Sequence, residues 1–359
     1  MTYNSDDNFK RRIGSERILQ KGYIMKLRKL FVGILFIVSV SYGCDGVMDP
    51  SEPGNLVPKT VMEDSSIPAV ELNGSRFHAE TFGNPDNPVI IFLHGGPGGD
   101  YMGLLRLKDR YDGYSLADNY FLVFWDQRGA GLSQRHTKDK LTIDIYNEDL
   151  RQIIQHYSHG EKVLLIGHSW GAMYATMFIN EHPEYVRGVV LGEPGPLNAE
   201  LFEGIKDEII EMDYFDEWLN DYAWSNQFLT PDDHARADYQ RMIGLKNSQP
   251  GYHMEMNVDP EPVWRLGALA NYCIEGEGID SNGNADYDFT DNLNAFTTKV
   301  LFISSGDNEV LGIELQEKQV REYPNAELKI IPDCGHDLVW QKPAEVLALI
   351  RSYLNEIND

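Results

Sequence analysis

The residues best suited to chemistry lie in the stretch 163–172, where Ser169 stands between two glycines. Four apolar residues open this stretch and predict a buried parallel strand, and a helical pattern follows it. Gly167 and Gly171 would allow a sharp turn between the two elements, where there is no room for a Cβ. Such a turn exposes the serine hydroxyl at the top of a sheet and aims the backbone N–H of Trp170 at a reacting carbonyl oxygen. The stretch therefore predicts a nucleophilic serine on a strand–turn–helix.

A serine hydroxyl needs a base to take its proton and a carboxylate to orient that base. In a fold with this turn, the acid and then the histidine follow the serine along the chain. Asp307 follows a predicted strand at 299–303, and His336 follows the next one at 328–331. Because the carboxyl ends of parallel strands lie at one edge of the sheet, we expect Ser169, Asp307 and His336 to form a catalytic triad. The alternatives are a turn or capping role for Asp307 and an ordinary loop position for His336.

A glycine-rich segment, His94-Gly-Gly-Pro-Gly-Gly99, follows another apolar run at 89–93. Glycines there let the backbone approach a ligand and turn its N–H groups inward. We expect the N–H of Gly96, with Gly95 as an alternative, to complete an oxyanion hole together with Trp170. The alternative interpretation is a simple glycine turn.

The elements that would hold these residues alternate between strands and helices, which predicts an α/β fold with a mostly parallel sheet flanked by helices. Residues 198–292 interrupt the alternation with helical, aromatic-rich sequence and predict an inserted helical cap. The predicted organisation is a signal and extension at 1–44, a flexible linker at 45–68, core at 69–197, cap at 198–292, and core again at 293–359.

The N-terminal region has the pattern of a bacterial signal peptide. A basic segment begins at Met25, an apolar run covers residues 30–40, and Ser41-Tyr-Gly-Cys44 follows. The last four residues resemble a lipoprotein processing site, which predicts an exported protein lipid-anchored at Cys44 on the periplasmic face or cell surface. A plain secretory signal or a short membrane anchor is the alternative. The short basic segment also suggests that translation starts at Met25 rather than Met1.

Composition limits the partners. A net charge of −25 argues against nucleic acid, and no apolar run reaches the roughly 20 residues of a membrane span, so we expect membrane contact only through the lipid.

The three cysteines fit no zinc spacing, and Cys273 and Cys334 are either a disulfide or two buried thiols, the commoner case. Residues 280–291 space oxygen ligands like a calcium loop, but Ala285 replaces the turn glycine, so a polar loop is preferred. No metal or organic cofactor is required, and the oligomeric state is not predicted.

Three motifs together resemble the proline iminopeptidase group of α/β-hydrolases. They are His94-Gly-Gly-Pro-Gly-Gly, Asp126-Gln-Arg-Gly-x-Gly-x-Ser133 and Gly167-His-Ser-Trp-Gly171. The resemblance covers about residues 69–197 and the tail from Thr298. It implies an α/β-hydrolase fold, with Ser169 as nucleophile, His336 as base, Asp307 as acid, and backbone donors at Gly96 and Trp170. It also implies release of an N-terminal residue, often proline, from peptides.

The cap sequence leaves the substrate open. In the family a cap glutamate binds the free α-amino group of the substrate, but Ala270 stands at that position here. Glu193, Glu203, Glu275 or Glu277 could supply the carboxylate instead. The small substrate is then a short peptide, with a carboxylic ester or amide as the alternative. A non-catalytic surface binding protein that keeps the fold is the alternative from another class.

Overall fold

The computed structural model describes residues 57–205, 234, 235, 237, 238, 241, 262–280 and 283–358. The signal sequence, Cys44 and most of the predicted cap lie outside these residues, so export and lipidation stay predictions. Within the described ranges, no helix has both the length and the apolar character needed to cross a membrane.

One eight-stranded sheet runs through the described part of the chain, in the order β1-β2-β4-β3-β5-β6-β7-β8. β1 and β2 pair antiparallel, β2 pairs antiparallel with β4, and the remaining neighbours are parallel. The strands are β1 Ala69–Leu72, β2 Ser75–Phe82, β3 Val89–Leu93, β4 Phe121–Trp125, β5 Val163–His168, β6 Val186–Gly192, β7 Val300–Ser305 and β8 Ala326–Ile331. This is the predicted fold class.

Helices cover both faces of the sheet. They are α1 Ile143–Tyr157, α2 Trp170–Glu181, α3 Ala199–Glu203, α4 Ala268–Glu275, α5 Ile313–Gln319, α6 Leu338–Gln341 and α7 Pro343–Glu356. Alternate residues of β3 enter different cores: Val89, Ile91 and Leu93 pack with α1 and α2, whereas Ile90 and Phe92 pack with α6 and α7. Burial on both faces explains why the central strands read as continuous apolar runs.

The first hairpin forms where the sequence predicts it. β1 and β2 pair from Ala69 opposite His78 to Leu72 opposite Ser75. Asn73 and Gly74 both have positive φ, of 45° and 65°, as a two-residue turn between twisted strands requires.

The predicted linker at 45–68 extends too far toward the core, because the residues described from Val57 onward pack against the domain. Val61 is completely buried, and its N–H donates to the carbonyl oxygen of Leu132 at 2.8 Å. Arg265 donates to the carbonyl oxygen of Pro58 at 2.9 Å. The Pro- and Ser-rich composition concealed two valines that bury apolar surface.

The described part of the cap is bound to the core by buried polar contacts. Asp238 accepts hydrogen bonds from Arg135 at 3.0 Å, from Arg265 at 2.8 Å and from the N–H of Ala268 at 2.8 Å. Its side chain is only 2 % exposed, like that of Arg265. Because Ala268 is the first residue of α4, this carboxylate also satisfies a free N–H at a helix start.

Replacing Asp238 with Asn is expected to destabilise the domain by about 3 kcal/mol, because two buried guanidinium groups would lose their counter-charge. Urea unfolding followed by circular dichroism measures this. Glu314→Gln is the matched control, since its ion pair with Lys318 lies on the surface with Glu314 88 % exposed. The control is expected to show no measurable change. Equal unfolding midpoints for both variants would contradict the role assigned to Asp238.

Candidate active site

Ser169 lies on a sharp turn between β5 and α2. Its φ of 55° and ψ of −123° are strained for a residue with a side chain. A Cβ at Gly171 would overlap the carbonyl oxygen of Leu93 at the end of β3, and a Cβ at Gly167 would overlap the carbonyl of Gly171. Only glycine therefore allows α2 to begin this close to the sheet, and the turn has the predicted form.

The loop after β3 lies against the serine. A Cβ placed on Gly95 would be 3.2 Å from Ser169 Cβ and 3.7 Å from its Oγ. Gly96 has a φ of 119°, and a Cβ there would lie 2.6 Å from the nitrogen of Gly99. The loop is thus compact, as the glycines predicted, and its peptide groups run beside the hydroxyl. Trp170, the first residue of α2, carries one of the N–H groups that a helix start leaves without a helical partner.

His336 follows β8 and is 4 % exposed. Its Nδ1 lies 2.9 Å from Oε2 of Glu193 and 3.4 Å from Nδ2 of Asn308. Its backbone carbonyl accepts a hydrogen bond of 2.8 Å from Nε2 of His168, whose ring lies 4.7 Å from the His336 ring. Because Nδ1–H donates to a carboxylate, the lone pair of the imidazole is on Nε2, the atom that would take a proton from a serine.

His168 stays neutral near physiological pH. Burial, reinforced by the neighbouring His336, lowers the pKa of His168 to about 4. Its donation to the His336 carbonyl requires the proton on Nε2. His168 therefore acts as a fixed neutral donor that holds the His336 loop against the serine turn.

Glu193 is the carboxylate that reaches His336. It directly follows β6, has a φ of 42° and is completely buried. Besides His336, it accepts hydrogen bonds from the N–H of Ser305 at 2.7 Å, from the Ser305 hydroxyl, and from Nδ2 of Asn308 at 2.9 Å. Burial acts to raise the pKa of Glu193, but the hydrogen bond and charge of His336 and these other donors outweigh it and lower the pKa below its ordinary value.

The carboxylate that contacts His336 in the structure is thus Glu193, whereas Asp307 was predicted to do so. Asp307 is exposed on the turn after β7, and its backbone N–H donates to the carbonyl oxygen of Cys334 at 3.1 Å. β6 and β7 are neighbours in the sheet, so a carboxylate after either strand ends near the histidine loop. The positive φ of Glu193 directs its side chain toward the loop after β7. Its carboxylate therefore occupies the place beside His336 Nδ1 that was predicted for Asp307.

The sequence around Glu193 contains a feature that could have indicated a catalytic carboxylate. Glu193 is a single charged residue between the apolar end of β6 and Pro194-Gly195, at the edge of the sheet where catalytic groups usually lie. Glu193 is one of the carboxylates that the sequence offers for binding a substrate amine. In the structure its carboxylate is instead directed to His336 and Asn308.

The other candidate carboxylates lie elsewhere in the described residues. Glu277 accepts a hydrogen bond of 2.7 Å from the N–H of Ile143 and caps α1. Glu203 is exposed at the end of α3. Glu275 ends α4, with its carboxylate 3.7 Å from the guanidinium of Arg241 and both side chains about half exposed.

Helix α4 lies directly on the glycine-rich loop. The N–H of Gly267 donates to the carbonyl oxygen of Gly98 at 2.7 Å, and Nδ2 of Asn271 donates to that of Pro97 at 2.9 Å. Ala270 is 1 % exposed, and a Cβ on Gly129 would lie 3.2 Å from its methyl group. The methyl group of Ala270 is therefore buried beside Gly129.

Three aspartates among the residues described within 280–291 accept hydrogen bonds from the protein itself. Asp280 accepts from Asn284, Asp288 from Thr290, and Asp291 from Asn180. No group of three or more acidic, histidine or cysteine side chains among the described residues is placed to hold a metal. Cys273 and Cys334 are both free thiols, in agreement with the preferred interpretation.

Comparison with known proteins agrees with the fold and the motifs. The family model for the α/β hydrolase fold matches residues 88–343. A proline iminopeptidase of Arabidopsis thaliana is 34 % identical over 321 residues, which cover 80 % of each chain. One from Saccharolobus solfataricus is 24 % identical and covers 76 % of this chain and 86 % of its own.

Among solved structures, the proline iminopeptidase of Mycobacterium smegmatis superposes with a TM-score of 0.55 at 16 % identity, over 81 % of this chain and 98 % of its own. At that identity the likeness concerns the fold alone. The sheet, the family match and the similarity to the Arabidopsis protein show that this chain is a serine hydrolase of the α/β-hydrolase family, in its proline iminopeptidase-like group.

Proposed function

We propose that this protein is an aminopeptidase that releases N-terminal proline or small residues from short peptides, with Ser169, His336 and Glu193 as its catalytic triad. The observation that carries the triad is the 2.9 Å contact between His336 Nδ1 and a completely buried Glu193 carboxylate, at the sheet edge where the serine turn also lies. The proline iminopeptidase relatives support the choice of substrate class.

In this mechanism Ser169 Oγ attacks the carbonyl carbon of the first residue while His336 Nε2 takes the hydroxyl proton. The carbonyl oxygen becomes an oxyanion, which the N–H groups of Gly96 and Trp170 stabilise. As the tetrahedral intermediate collapses, the C–N bond breaks and His336 returns the proton to the leaving amine. Water then attacks the acyl-enzyme by the same route and releases the amino acid.

Glu193 is suited to stabilise the imidazolium that forms on His336. Its carboxylate is ionised because five donor groups surround it, and burial keeps water from screening the pair. Since the donors are fixed by β7 and the following loop, they need no reorganisation when charge develops on the histidine.

Ser169→Ala is expected to abolish turnover, and Glu193→Gln to lower kcat by about 10³- to 10⁴-fold, because the amide leaves the imidazole without its counter-charge and in the wrong tautomer. Asp307→Asn is the matched control and is expected to stay within twofold of wild type, since Asp307 is exposed. Steady-state hydrolysis of proline p-nitroanilide and the rate of labelling by a fluorophosphonate measure these effects. Loss of activity in Asp307→Asn with retention in Glu193→Gln would reverse the assignment of the acid.

An esterase or amidase is the second candidate, and the observation that favours it is Ala270. Ala270 is buried next to Gly129. Its methyl group offers no carboxylate at the position where the resemblance would place an amine-binding glutamate. The aminopeptidase proposal therefore requires another cap carboxylate, for which Glu203 and Glu275 are the described candidates.

Substrate panels separate the two activities. Proline and alanine p-nitroanilides, each with a free and an acetylated amine, are compared with p-nitrophenyl butyrate in wild type and Ser169→Ala. We expect Ser169-dependent cleavage of the free-amine anilides alone, because an ammonium group would meet a carboxylate only in the unblocked substrates. Cleavage confined to the butyrate ester would replace the aminopeptidase with the esterase, and a wild type inert to the panel and to the fluorophosphonate would reject both.

A further inference from the structure

Gln127 is a completely buried residue that joins the glycine-rich loop to the serine turn. It follows β4 closely and belongs to the Asp126-Gln-Arg-Gly motif. Its side-chain Nε2 donates to the carbonyl oxygen of His94 at 3.0 Å, and its Oε1 accepts from the indole Nε1 of Trp170 at 3.0 Å. One amide group therefore contacts both segments that carry the expected oxyanion donors.

The backbone of Gln127 also determines the tautomer of His94. Its N–H donates to His94 Nε2 at 3.0 Å, so that nitrogen must carry a lone pair. The proton is then on Nδ1, which lies 2.8 Å from the carbonyl oxygen of Gly95 and donates to it. Burial lowers the pKa of His94 in spite of the opposing charge of Asp126, so the neutral ring is the stable form.

Two carbonyl groups of the loop are held in this way, and each determines the direction of an N–H. In a trans peptide the C=O and N–H bonds point to opposite sides. Gln127 holds the His94 carbonyl, which directs the Gly95 N–H away from Gln127. The His94 ring holds the Gly95 carbonyl, which in turn directs the Gly96 N–H. Both peptides belong to the segment that lies against Ser169.

The other half of the hole depends on Trp170. Trp170 is only 5 % exposed, and its indole Nε1 donates a hydrogen bond to the side chain of Gln127. The ring also stacks on Tyr174 one turn later in α2, with centroids 6.1 Å apart. These contacts hold the first residue of α2, and with it the N–H that is expected to meet the oxyanion.

We propose that Gln127 is a positioning residue that sets both halves of the oxyanion hole relative to each other, through His94 on one side and Trp170 on the other. It contacts neither substrate nor the reacting atoms. The inference rests on the proposed function, because it assigns a role within that same site. A hydrogen-bond donor displaced by a fraction of an ångström stabilises the transition state less than before, while substrate binding is little changed.

Gln127→Met in the full chain removes the amide with little change of volume. We expect kcat to fall about 10- to 100-fold with KM within threefold of wild type, since loss of a whole oxyanion donor costs about 10²- to 10³-fold. A trifluoromethyl ketone, which forms an oxyanion adduct with the serine, should bind weaker by about the same factor as kcat/KM falls. A role in stability alone would not produce that proportionality.

Thr176→Val is the matched control. Thr176 lies on α2, the helix that begins at Trp170, and is as completely buried as Gln127. Its hydroxyl contacts that of Tyr323 at 2.6 Å, away from the glycine-rich loop. It should lose stability comparably but keep kcat and inhibitor affinity within twofold. Equal losses of kcat in both variants, or a folded Gln127→Met with kcat within threefold of wild type, would overturn the proposal.

Trp170→Phe removes the indole N–H together with the five-membered ring that carries it, and supplies a second test if Gln127→Met does not fold. We expect a three- to tenfold fall in kcat at unchanged KM, and an unchanged kcat would overturn the part of the proposal that involves Trp170. Failure of the proposed function looks different, because the wild type itself would then leave the free-amine anilides uncleaved, or Ser169→Ala would cleave them as fast as the wild type. An inactive Ser169→Ala beside a fully active Gln127→Met would reject the role of Gln127 alone.

Discussion

The close approach of α2 to the ends of β3 and β5 is the constraint on which the site depends. Only glycine at 167 and 171 allows the helix to begin against the carbonyl oxygen of Leu93. That approach forces Ser169 into a left-handed backbone conformation and brings the loop after β3 alongside it. The burial of neighbouring apolar residues of β3, β5 and α2 in one core stabilises the fold and offsets the free-energy cost of this strained conformation.

The electrostatic part of the site depends on the order of the strands. β6 and β7 are adjacent, so the loop after β7 can surround a carboxylate that comes from the end of β6. Ser305 and Asn308 both donate to Glu193 and lie on that side of the sheet. A fully buried carboxylate is costly unless such donors are present, and here they come from the strand beside it.

The Asp126-Gln-Arg-Gly motif organises this same region without joining the proposed triad. Asp126 accepts from the N–H groups of Tyr101 and Leu132, which sets the loops around it. Arg128 forms a buried ion pair with Asp149 on α1, at 2.7 Å. Gln127 stands between them and reaches His94 and Trp170. The motif is therefore a set of buried anchors that hold the glycine-rich loop, the serine turn and α1 in register.

The sequence by itself determined the sheet, the serine turn and the histidine loop, because apolar runs, glycine spacing and chain order are local properties. The first hairpin followed from Asn73-Gly74 for the same reason. Tertiary structure alone decided which carboxylate meets His336, since Asp307 and Glu193 both follow strands at the same edge and only the packing beneath the loop after β7 distinguishes them. It also decided that residues from Val57 pack on the domain and that Gln127 joins two distant segments, because burial and long-range hydrogen bonds leave no periodic pattern in a chain.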